Sequence, residues 1–98
     1  MNPALTPAQL SFLRSRAHPL EPTVQLGKAG VSEGFLRVLE DALKRNELIK
    51  LRLGRRVEVD LKEVAAKVKS HLVHKVGRIV VLYRPFAEPQ IVLPAPEA

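Results

Sequence analysis

Five apolar residues in a row, Ile79-Val80-Val81-Leu82-Tyr83, constrain the fold of this 98-residue chain more than any other feature. A run without polar alternation offers no face to water, so it predicts the best-buried, central strand of a sheet. Pro85 ends it. Gly77-Arg78 separates it from a second strand-like run, Leu72 to Val76, which is the spacing of a two-residue hairpin.

The rest of the chain supplies elements to cover and extend that strand. Thr6-Pro7-Ala8-Gln9 reads as a capping box with proline at the first helical position, followed by Leu10, Leu13 and Ala17 at helical spacing with Phe12 beside them. Pro19 predicts an end near His18. Thr23 to Leu26 reads as a short strand closed by Gly27. Ser32 caps a helix to about Arg45, with Phe35, Leu36, Leu39, Ala42 and Leu43 as its apolar stripe and Arg37, Glu40, Asp41 and Lys44 facing water. Leu48 to Leu53 alternates, with Ile49, Leu51 and Leu53 on a covered face and Lys50 and Arg52 on the other. Asp60 and Glu63 cap a third helix, expected to end near Ser70. Gln90 to Leu93 suggests an edge segment.

The order helix, strand, helix, strand, helix, strand, strand predicts an α/β sandwich with a four-stranded mixed sheet, parallel crossovers first and then a hairpin. Ninety-eight residues suit one domain, expected over 1–94, with a disordered tail over 95–98. The chain has no cysteine, which removes disulfides and thiolate metal sites and is compatible with a reducing cytosol. No apolar stretch approaches the ~20 residues of a membrane span, and the N-terminus lacks a signal-peptide pattern, so the expectation is a soluble cytoplasmic protein without membrane contact.

Sixteen Lys and Arg against ten Asp and Glu give a formal charge of +6, which favours a polyanionic partner. The segment from Lys50 to Arg56 carries Lys50, Arg52, Arg55 and Arg56 and no acid. Gly27-Lys28-Ala29-Gly30 sits between a strand and a helix, where glycines admit close backbone approach, the helix start offers amides, and Lys28 adds a mobile cation. That combination suits a sugar-phosphate backbone. It lacks the four-residue glycine spacing and the Gly-Lys-Ser/Thr of a nucleotide-binding P-loop, and the dinucleotide fingerprint is absent as well.

Other residues point away from chemistry. His71 and His74, three apart on a strand, are expected to face opposite sides, with no cysteine or nearby carboxylate to complete a metal set. Tyr83 is expected in the core with its hydroxyl exposed. Ser11, Ser15, Ser32 and Ser70 have no base and orienting carboxylate at a recognisable spacing, so no catalytic site, cofactor, metal or small-molecule substrate is expected. Rival readings are a protein-interaction module whose charge matches an acidic partner and a DNA binder, the latter without a visible recognition helix.

The segment Thr23 to Glu33, with Asn46-Glu47-Leu48-Ile49-Lys50 and Gly77 to Pro85, resembles the YhbY-like family of stand-alone CRM domains, over about Leu5 to Pro94. The resemblance implies an α-β-α-β-α-β-β fold like the C-terminal domain of translation initiation factor three, with a loop analogous to that of KH domains. It also implies RNA binding and association with large ribosomal subunit precursors, so the expected partner is ribosomal RNA, bound by a ribosome-associated monomer. Gly27, Lys28 and Gly30 match the family's loop, while Ala29 stands where Asn or Arg is common. Near the first helix Arg14, Arg16 and His18 are candidate contacts, although Pro19 and Glu21 replace residues often basic or polar in relatives.

Overall fold

The computed structural model describes residues 4–95; the expected tail therefore lies outside the described residues except for Ala95. The elements are α1 (Pro7–Ala17), β1 (Val24–Leu26), α2 (Glu33–Arg45), β2 (Leu48–Leu53), α3 (Leu61–Lys67), β3 (His71–Val76) and β4 (Ile79–Tyr83). The strands form one sheet in the order β1-β2-β4-β3. β1 runs parallel to β2, whereas β2 and β3 both lie antiparallel to β4, which makes the sheet mixed and places β4 inside it.

Each helix starts where its side chains cap it. The Thr6 hydroxyl accepts from the Gln9 amide while the Gln9 side chain accepts from the Thr6 amide, completing the predicted box. The Ser32 hydroxyl accepts from the Phe35 amide, and Asp60 accepts from the amides of Lys62 and Glu63. α3 stops earlier than expected, at Lys67, because Lys69 turns into the left-handed region (φ 53°) and the Ser70 amide closes back on the Ala65 carbonyl. No glycine announces this end.

The two faces of the sheet are buried by different helices. On one, Phe35, Leu39 and Leu43 of α2 and Val64, Ala65 and Val68 at α3 pack on Val24, Leu26, Ile49, Leu51, Leu53, Val80 and Leu82. On the other, Leu13 and Ala17 of α1 cover Leu48, Val73, Val81 and Tyr83, with Phe12 packed alongside. The apolar run of β4 is thus explained residue by residue: Val80 and Leu82 fill one core, Val81 and Tyr83 the other. β2 is buried on one face at Ile49, Leu51 and Leu53 and on the other at Leu48, where Lys50 is half-buried and Arg52 exposed.

Three expectations are corrected. Gln90 to Leu93 adds no strand; the amides of Gln90 and Ile91 bond the Glu47 carboxylate instead of a ladder, both at 2.8 Å. A β-bulge between Leu72 and His74 shifts the register of β3, so His71 pairs with Tyr83 and His74 with Val81, and both histidines lie on the α1 face. Glu40 does not face water alone: it is bound by Arg84 from beyond β4.

Candidate nucleic-acid interface

The Gly27–Gly30 loop is a tight turn leading from β1 into α2. The Gly30 amide donates to the Gly27 carbonyl at 3.0 Å, and Gly30 takes φ 73°, a conformation that costs glycine little. The Ser32 amide then donates to the Gly30 carbonyl, and the Ser32 side chain occupies the Phe35 amide. Among the described residues the amides of Lys28, Ala29 and Val31 have no acceptor within the chain, so the loop leaves donors for an external partner. Lys28 and Ala29 are exposed, and a Cβ at Gly27 or Gly30 would meet nothing within 4 Å, which leaves the loop open to a ligand backbone.

Gly54 joins this loop to the arginines after β2. Its amide donates to the Leu26 carbonyl at 2.8 Å, and a Cβ there would lie 3.3 Å from that same oxygen. The close crossing sets Gly27, Lys28 and Gly30 across one open cleft from Arg55 and Arg56, with Glu58 as the acid in its lining. Arg56 has φ 60°, a left-handed backbone that costs a non-glycine residue about 1 kcal/mol. The hairpin adds Lys75 and Arg78, which line a neighbouring cleft with Arg56; the Leu53 amide bonds the Arg78 carbonyl at 2.7 Å, fixing that approach.

The remaining candidates divide. Arg14, His18 and Lys50 come together in a groove between α1 and the sheet, where Lys50 Nζ donates to the His18 carbonyl at 3.3 Å. Arg52 stands beside Gln25 on the same sheet face, exposed. Arg16 points elsewhere, into a cleft lined by Asn46, Glu47 and Gln90. The predicted residues are therefore not one patch but a loop cluster, a groove and two separate arginines, Arg52 beside β1 and Arg16 on another face.

A protein-family model for the CRS1 / YhbY (CRM) domain matches residues 5–84. The chain belongs to this CRM family. It is 40% identical over 95 residues to the Probable RNA-binding protein YqeI of Bacillus subtilis, covering 92% of this chain and 99% of the relative. It is 37% identical over 94 residues to an RNA-binding protein of Haemophilus influenzae, covering 92% and 95% respectively. The solution structure of SAV1595 from Staphylococcus aureus superposes with a TM-score of 0.73 at 35% identity, over 93% of this chain and all of the other.

Several side chains organise this CRM domain through contacts that no local pattern in the sequence announces. Glu47, buried at 3% exposure, uses both carboxylate oxygens to accept the amides of Phe86, Gln90 and Ile91, each at 2.8 Å. Arg84 grips Glu40 with two nitrogens at 2.9 and 2.7 Å and bonds the Val68 carbonyl at 3.0 Å. The guanidinium hydrogen bond holds the Glu40 carboxyl below the usual carboxylate range, against the opposing pull of burial. Beside them His71 stacks on Tyr83 with ring centroids 6.0 Å apart. Burial lowers the His71 pKa, and burial with the Glu47 charge raises that of Tyr83, which is only 2% exposed. Lys75 and Arg78 were missed because their nearness to Arg56 depends on the Arg52 to Ile79 register rather than on any local pattern. No described helix is long and apolar enough to cross a membrane, and the described residues contain no group of three metal-ligating side chains.

Proposed function

We propose that this CRM domain binds structured RNA, ribosomal RNA in a large-subunit precursor, through the Gly27–Gly30 loop and the cations beside it. The observation that carries the reading is the Leu26 to Gly54 crossing, which brings Lys28, Arg55 and Arg56 to one cleft with loop amides that have no acceptor among the described residues. Backbone amides and mobile cations hold phosphates without reading bases, so recognition of shape dominates over sequence at this site. An arginine in a left-handed position that glycine would fill without strain supports a role for its guanidinium. RNA as the partner is supported by the names of the relatives, and the large-subunit precursor by the family resemblance. The reading assigns no catalytic step, cofactor or metal, and it places the protein as a ribosome-associated monomer in the cytoplasm.

The test is binding to deproteinised precursor ribosomal RNA, with duplex DNA as competitor and purified ribosomal proteins as the alternative bait. Retention by the RNA that survives duplex DNA supports the reading. Capture by ribosomal proteins with no affinity for the bare RNA would replace it with a protein-docking module.

A further inference from the structure

α1 covers only part of its sheet face. Leu48, Val73, Val81 and Tyr83 lie beneath it, but toward the hairpin tip the cross-strand pair Val76 and Ile79 continues the same apolar face past the helix, and Val76 is 61% exposed. This uncovered floor forms a groove of about 390 Å³ against α1. Its rim is built by three elements. Arg14 comes from α1 and His18 from the cap at its end, one helical turn on; Lys50 comes from β2; and His74 is turned to this face by the bulge in β3. Among the described residues no acidic side chain lines it, in contrast to the Gly27–Gly30 cleft, which contains Glu58.

We propose that this groove holds one unpaired nucleotide of the bound RNA, its base against Val76, Ile79 and the imidazole of His74, its phosphates on Arg14 and Lys50. Unstacked bases are taken up by histidine rings and arginine planes, and an aliphatic floor removes their faces from water. The volume falls near the lower end of the ~300 to 1,000 Å³ typical of small-ligand pockets, a size for a nucleotide and not for a duplex. Continuity favours RNA over an acidic peptide: Lys50 and Arg52 point from alternate positions of one strand, about 6.6 Å apart, and the same chain segment continues into Arg55 and Arg56 at the loop cluster. A strand leaving the groove thus meets cations along β2 toward the Gly27–Gly30 loop. The proposal rests on RNA being the ligand and adds a base-binding element to a surface otherwise suited to backbone alone.

The experiment compares an RNA hairpin carrying one unpaired adenosine with the same hairpin abasic at that position, by affinity and by NMR of the valine and isoleucine methyls. The intact bulge is expected to bind about tenfold more tightly than the abasic one, with shifts at Val76 and Ile79 that the abasic RNA does not cause. His74→Ala should abolish this preference while the abasic hairpin binds as before, which also shows that the variant is folded; Val76→Glu, on exposed surface, should do the same through charge repulsion. Equal affinity for both hairpins without methyl shifts in the groove would overturn the proposal and leave RNA binding by the loop standing. Shifts produced by a polyglutamate peptide and by neither RNA would overturn it in favour of a protein dock. Absence of binding to either hairpin and to precursor ribosomal RNA would remove the RNA reading itself.

Discussion

Glu47 anchors a segment that has no regular structure of its own. Its carboxylate is the acceptor for three backbone amides between Phe86 and Ile91, and Ile91 and Leu93 then pack against the α1 core. Glu47→Ala would orphan those amides, and a cost of about 3 kcal/mol is expected in urea unfolding, with Glu47→Gln costing less because one oxygen survives. His71 gives a pH signature. Its folded pKa is lowered by burial, so the unfolded chain binds the extra proton first; stability is full above the ordinary value of 6.5 and declines as pH falls through 6.5 toward the lowered value. His71→Phe should flatten that part of a stability-versus-pH curve. Neither role was legible in the sequence, since Glu47 acts on partners about forty positions away and the environment of His71 depends on a bulge that no residue type in Leu72-Val73-His74 announces.

The helices and strands were the legible part, and the reason is that their signals are local. Thr6, Ser32 and Asp60 cap the helices they were expected to cap, and Gly77-Arg78 turns the hairpin with Gly77 at φ 58°. What joins the elements was not legible. Arg84 ties the end of β4 to Glu40 on α2 and to the carbonyl of Val68 at the end of α3, a three-element junction made by one side chain. Lysine cannot reproduce the two-pronged grip, so Arg84→Lys is expected to lose about 1 kcal/mol and lower Tm by about 4 to 8 °C. Because Glu40 titrates below its ordinary value, the contribution of the pair is present above about pH 4.5 and is lost as pH falls through the lowered pKa. Acid titration of Arg84→Met beside the unaltered protein should show the two stability curves converging at low pH.

At the scale of the molecule, topology decides which charges meet. β1 and β2 run parallel and β4 returns antiparallel, so the Gly27–Gly30 loop, the Arg55-Arg56 loop and the hairpin tip all fall at one end of the sheet. The sequence marks Lys28, Arg55 and Arg56 as cations near breaks, but their union needs the 2.8 Å bond from the Gly54 amide to the Leu26 carbonyl, which only the fold supplies. Arg16 had the same credentials by charge and is carried to another face. The most direct measurement is the salt dependence of affinity for precursor ribosomal RNA, comparing the unaltered protein with a Lys28→Ala, Arg55→Ala, Arg56→Ala variant whose fold is verified by circular dichroism. Each phosphate contact contributes roughly 0.7 to 0.9 to the slope of log affinity against log salt, so the variant should bind more weakly with a slope flatter by about 2 to 3. A folded variant with the same slope and the same affinity would contradict the account.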